Sequence, residues 1–141
     1  MSRFQLTFGA LILAQAAHSI EEYRGRLWES FPPAHLLTSL VSSNLERSFV
    51  VLSVLLLAFG VWCFAYPVRR RWPVAVSLAW FWIAIEIING IVHTSWSLHE
   101  GGYTPGLATA PVLLLLAIYL GHLLRRAAHE PSTAILRGRE R

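Results

Sequence analysis

PVAVSLAWFWIAIEIINGIVH, residues Pro73 to His93, is an apolar stretch with a single charged side chain, Glu86. A membrane-spanning helix needs about 20 mostly apolar residues. The stretch therefore predicts a spanning helix, and Glu86 is what has to be explained. A charge near the centre of such a helix costs about 2.5–3.5 kcal/mol on insertion scales, and groups of this kind face the bundle interior and mark function. Helical positions three and four apart share a face. Glu86, Asn89 and His93 thus form one polar stripe that climbs about 10 Å over two turns. Around it lie Trp80, Phe81, Trp82, Ile85 and Ile88. These aromatic side chains read as core and interface anchors, and Trp80 and Trp82 also suit the wall of an apolar ligand pocket.

Outward from this segment, three further stretches approach spanning length: Phe4 to Ile20, Phe49 to Tyr66, and Leu107 to Leu124. The expected fold is all-α, a four-helix transmembrane bundle with spans at 4–20, 49–66, 73–93 and 107–124. Residues 1–126 form one domain, and 127–141 form a disordered cytoplasmic tail. Pro73 and Pro111 fall near helix starts, where proline costs little. Phe31-Pro32-Pro33 reads as a turn, followed by a short interfacial helix over His35 to Asn44 between the first two spans.

Of the 141 residues, 55% are hydrophobic and 14% charged, against about a quarter charged in soluble domains. All twelve basic residues are arginine and all eight acidic ones glutamate, a bias that points to a GC-rich, bacterial coding sequence. The arginines gather beside the apolar runs as Arg3, Arg69–Arg71, and Arg125, Arg126, Arg137, Arg139 and Arg141. That distribution argues for membrane flanks and against nucleic acid as partner, despite a pI near 10.0. With four spans these clusters share one side, and the positive-inside rule makes it cytoplasmic, with both termini there. The expected location is the bacterial inner membrane. A second reading of the N-terminus takes Arg3, the apolar run and Ala14-Gln15-Ala16 as a cleaved signal peptide. One cysteine, Cys63, excludes an internal disulfide.

The first span ends in AQAAHSIEEYRGR, Ala14 to Arg26. His18, Glu21 and Glu22 lie in one helical stripe at its outer end. Helices one and three both exit outward at these points, so the two stripes share one membrane depth. His18, Glu21, Glu22, Glu86 and His93 supply the imidazole and carboxylate donors that zinc, iron or manganese accept. Inward Glu and His from facing helices can hold metals in bundles, although the spacing here is His-x-x-Glu-Glu rather than Glu-x-x-His.

The HSIEE run resembles the namesake motif of the HXXEE family of small multi-span membrane proteins. Asn89-Gly90-Ile91-Val92-His93 resembles that family's downstream asparagine and histidine, and Tyr103-Thr104-Pro105-Gly106 fits its pattern before the last span. The resemblance covers about residues 5 to 125. It implies that His18, Glu21, Glu22, Asn89 and His93 matter and bind a metal, and it carries no known activity. Glu86 is added by helix geometry alone.

The expected function is a metal-dependent membrane enzyme acting on a small lipophilic substrate. His18, Glu22 and His93 are the first ligands, Glu21 or Glu86 is a further ligand or general base, and Asn89 orients substrate. Three alternatives stay open: a metal-free isomerase in which a buried glutamate moves a proton, a binding or transport module for a cation, proton or haem, and a structural subunit. His99 and Glu100 are expected in a glycine-rich loop.

Overall fold

The computed structural model describes the backbone of residues 1–137 and the side chains of residues 1–128. Among the described residues the chain is all-helical. α1 is Arg3–Arg24, α2 Leu27–Ser30, α3 Pro32–Ser39, α4 Leu45–Cys63, α5 Ala75–Glu100 and α6 Ala110–Arg137. A single π-helical turn, Phe64–Val68, extends α4. Three helical stretches, Leu45–Val68, Ala75–Glu100 and Ala110–Ala128, are long and apolar enough to cross a bilayer. α1, with 22 residues, matches them in length but carries more polar side chains. Those side chains point inward: Gln5, Thr7, Gln15, His18 and Ser19 are all buried.

α1 packs against both α4 and α6, and α5 lies along α6. The core joins Phe8, Leu11 and Ile12 of α1, Trp82 and Ile83 of α5, and Leu113, Ala117 and Leu120 of α6. Large apolar residues such as Leu13, Leu55, Val61, Ile88 and Leu115 face outward. In lipid, burial of apolar area does not drive helices together, so close van der Waals contact must. Small residues provide it. A Cβ on Gly90 would stand 2.7 Å from Leu114 Cβ, and one on Gly60 2.9 Å from the Trp82 ring.

Local sequence explains the helix ends. Ser2 and Gln5 form a capping box at the start of α1. The Gln5 amide then donates to the carbonyls of Val68 (3.1 Å) and Arg69 (3.2 Å). This fixes the start of α1 against the end of α4. Pro67 has no N–H to continue the α ladder, and the backbone widens to a π turn closed by Arg69 N–H to Phe64 O at 3.0 Å.

Several boundaries differ from expectation. The interfacial helix begins at Pro32 and ends at Ser39 instead of spanning 35–44. Proline lacks only an N–H that a first turn leaves unpaired anyway, so Pro32 and Pro33 open this helix where a turn was expected. Phe31 is held extended, as the residue before proline must be. α5 runs to Glu100, so His99 and Glu100 end a helix and do not sit in a loop; both are exposed. Gly101, at φ +65°, stops it. α6 continues to Arg137, beyond the expected end at 124. The last four residues of the expected tail, 138–141, lie outside the described residues.

Candidate metal centre

His18 and Glu22 are four residues apart on α1 and so occupy one face one turn apart. His93 reaches them from α5. His18 Nε2 stands 3.3 Å from Glu22 Oε1, and His93 Nε2 stands 3.2 Å from the same oxygen. One donor atom from each of the three lies within 4.8 Å of the others. The two imidazoles meet edge to face with ring centroids 4.8 Å apart. His18 is fully buried and His93 nearly so, while the Glu22 side chain keeps 13% of its exposure.

The far side of each ring decides what the near side can do. His93 Nδ1 lies 2.7 Å from the carbonyl of Pro105. A carbonyl only accepts, so His93 Nδ1 carries the hydrogen. His18 Nδ1 lies 2.7 Å from Thr109 Oγ1. The Thr109 hydroxyl spends its own hydrogen on Glu21 Oε2 at 2.6 Å. It must therefore accept from His18, and His18 Nδ1 carries the hydrogen as well. In the neutral rings both Nε2 atoms are then bare lone pairs aimed at a carboxylate oxygen. His18 Nε2 has no protein hydrogen-bond donor. Such an arrangement is satisfied either by a proton shared between an imidazole and Glu22 or by a cation held among the three atoms. Ligands at zinc–donor distances of about 2.0–2.2 Å in a tetrahedron stand about 3.3–3.5 Å apart. The two His–Glu separations are compatible with that spacing, and three such ligands would leave a fourth position free.

Glu21 is not in this cluster. Its carboxylate is occupied by the segment leading into α6. It accepts from the backbone N–H groups of Ala108 and Thr109, both at 2.9 Å, and from the hydroxyls of Thr109 and Tyr103. The same bond to Glu21 pushes the Tyr103 phenol up to about 12. Glu21 thus orients Thr109, and Thr109 orients His18.

The segment Tyr103 to Thr109 covers the centre. Pro105 gives its carbonyl to His93, and its ring lies where a side chain on Gly25 would be, 2.5 Å from the position of an added Cβ. Gly106 lies directly over both imidazoles. An added Cβ there would come within 2.5 Å of His93 and 2.9 Å of His18, and its φ of +92° already favours glycine. Ser97 and Thr104 bond to each other at 2.7 Å and tie the segment to the end of α5.

Glu86 forms a second, separate cluster. It is fully buried. Asn89 Nδ2 donates to its Oε2 at 3.2 Å. The Gln15 amide, oriented by its partners, donates to both Glu86 oxygens at 3.1 Å and accepts from Ser19 Oγ at 3.2 Å. Glu86 and Asn89, expected to act with the metal ligands, are therefore engaged with each other and with Gln15.

A cavity of about 430 Å³ lies between α1, α3, α4 and α5. Its walls are apolar, with Phe31, Leu52, Leu56, Ile85 and Ile88 among them, and its polar floor is made by Gln15, Ser19, Glu22, Asn89 and His93. The metal-site candidates Glu22 and His93 thus face a space of ligand size. On the other side of this region Phe59 stacks on Trp82 at 6.2 Å, so α4 and α5 touch there.

Sequence reasoning missed Gln15, Thr109 and the glycine at 106 as parts of the site. Tyr103-Thr104-Pro105-Gly106 was the signal for the covering segment, because each of the four contacts the centre or its supports. No curated protein and no solved structure matches this chain. A family model described as "protein of unknown function with HXXEE motif" matches residues 10–120, and the chain, whose HSIEE run supplies two of the three converging donors, belongs to that family.

Proposed function

We propose that this protein is a four-span membrane bundle that holds a divalent metal on His18, Glu22 and His93 and presents it to a small lipophilic substrate in the adjoining cavity. The observation that carries this reading is the hydrogen-bond accounting at the two imidazoles. Both Nδ1 atoms are committed as donors, so both Nε2 lone pairs converge on Glu22. Outer partners that fix ring tautomer and orientation are a recurring feature of metal-binding histidines. A metal with one open position can polarise a substrate oxygen or activate water. Zinc, iron and manganese all suit this donor set.

The four-span reading rests on the path of α1. Its first turn bonds to Val68 and Arg69, and its last turns meet Ala108 and Thr109. It therefore runs the length of the bundle, and a bilayer crossed by α4, α5 and α6 is crossed by α1 as well. At 22 residues it is about 33 Å long, enough for a core of about 30 Å. The arginine-rich ends face the cytoplasm of a bacterial inner membrane, and the metal lies toward the opposite side.

Elemental analysis of the full chain purified in detergent tests the reading. One divalent ion per chain is expected, lost in His18→Ala and His93→Ala and kept in the surface variant Glu29→Gln. A chain that holds no metal and gains no thermal stability from added zinc, manganese or iron(II) would overturn it.

A further inference from the structure

We infer that the cavity opens sideways into the bilayer, through a mouth between α4 and α5, and that its occupant is the hydrocarbon chain of a membrane lipid, which enters along that path and not from water. This names the ligand class and the route for the site proposed above and rests on that reading.

The mouth follows from how the helices pair. α4 packs against α1 and α3, whereas α5 packs against α6. Late in α4 and early in α5 the two are joined by aromatic rings: Phe59 meets Phe81 at 5.9 Å and Trp82 at 6.2 Å. Toward the other end they face each other across the cavity, with Leu52 and Leu56 on one side and Ile85 and Ile88 on the other. The rim is apolar and uncovered. Leu52 is 37% exposed, and Ile88 and the α3 residue Leu37 are each 59% exposed. The rim also lies at membrane depth. Leu52 stands about 10 Å along α4 from its start at Leu45, and Ile88 about 18 Å before the end of α5 at Glu100.

The other sides are covered. α1 stands behind, with the buried Gln15 and with Glu22 on the wall. Above, Phe31 meets Trp96 at 4.7 Å, which ties the start of α3 to the last turns of α5. The Tyr103–Thr109 segment covers the imidazoles, with Pro105 packed onto Gly25. Beside the mouth, Leu55, Phe81 and Ile91 are exposed and continue the lipid-facing surface. Apolar wall therefore runs from that surface into the cavity. Among the described residues lining it, Glu22 is the one carboxylate and none is arginine. A hydrocarbon chain moving from the bilayer along this wall leaves no water behind and exchanges lipid contacts for protein contacts. A polar guest on the same path loses its hydration before it reaches any partner. The volume of about 430 Å³ is that of a ligand site.

The test uses the full chain in phosphatidylcholine vesicles containing hexadecane with a mid-chain diazirine, a probe that presents the chain without a head group. After illumination, labelled residues are mapped by mass spectrometry, and bound metal is counted in the same samples. Label is expected on Gln15 and Asn89 inside the cavity, as well as on the outward-facing Leu13 and Leu115. Leu52→Trp combined with Ile88→Trp, both at exposed positions, narrows the mouth. It should lower the inner label at least about tenfold, the equivalent of about 1.4 kcal/mol of binding, and leave the outer label unchanged. Leu52→Ala combined with Ile88→Ala widens the mouth and should raise the inner label, a change that misfolding does not produce alongside constant outer label. Inner residues that stay unlabelled in the native chain, or that label equally in the two double variants, overturn the inference. The metal count separates this result from the metal reading. Inner label in a chain that holds no metal keeps the lipid route and removes the metal, and bound metal without inner label does the reverse.

Discussion

Thr109 Oγ1 is the atom through which Glu21 reaches the centre. It donates to Glu21 at 2.6 Å and leaves its lone pairs to His18 Nδ1 at 2.7 Å. Removing the hydroxyl while keeping the shape frees His18 to change tautomer or rotate. Thr109→Val should weaken metal binding about 10–100-fold, the usual cost of losing an outer partner. Thr109→Ser should restore most of it, and competition with a zinc chelator reads both. Tyr103 offers a spectroscopic check on the same segment. Its bond to Glu21 favours the neutral phenol in the folded state, so its pKa is raised from 10.0 to about 12. The contribution to folding is therefore complete below pH 10 and is lost as pH rises through about 12. A Tyr103→Phe difference titration should show one tyrosine ionising late, and Glu21→Gln should return it toward 10. Of these residues, His18, Glu22 and His93 were legible because helix periodicity and span order place them together. Thr109 and Gln15 were not, because a lone hydroxyl or amide in an apolar run looks the same whether it bonds to its own helix or across the bundle.

At the scale of the element, the same limit appears as boundary shifts. The apolar runs located the three long helices, since length and composition survive any choice of neighbour. The ends are set by local bonds that composition does not record: the Pro32–Pro33 helix start, the Pro67 π turn and the Gly101 stop. The polar stripe of α5 was legible as a stripe, but not its division. Glu86 turns to Gln15 and Asn89 to Glu86, whereas His93, a turn higher, turns to Glu22 and Pro105. Helix contact itself rests on small residues. Gly90 lets α5 approach α6, with Leu114 where a side chain would go. Gly90→Val should destabilise the bundle by about 1–3 kcal/mol through overpacking, read as a lower midpoint in detergent unfolding. Gly102→Ala should leave the midpoint unchanged, because an added Cβ there meets nothing within 4 Å.

For the whole molecule a three-span and a four-span topology part at one place. If α4, α5 and α6 cross and α1 does not, the N-terminus lies on the side of the α5–α6 connection. If α1 crosses too, it lies with the connection after α4, where Gln5 already binds the carbonyls of Val68 and Arg69. Composition sets α1 apart from the three apolar candidate spans because it carries more polar residues, and those are buried inside the bundle. Polar groups that face partners carry little of the penalty that the same groups would carry toward lipid. The native chain suits cysteine labelling, since Cys63 is buried and the described residues hold no other thiol. A cysteine in an N-terminal tag, Arg70→Cys and Ala128→Cys should resist an impermeant maleimide in intact cells and react after lysis. Ser43→Cys and Gly102→Cys should react in both. Labelling of the N-terminal tag in intact cells would return the chain to three spans. Because His18 and Glu22 lie on α1, that result would also detach two of the three proposed ligands from a membrane-spanning helix.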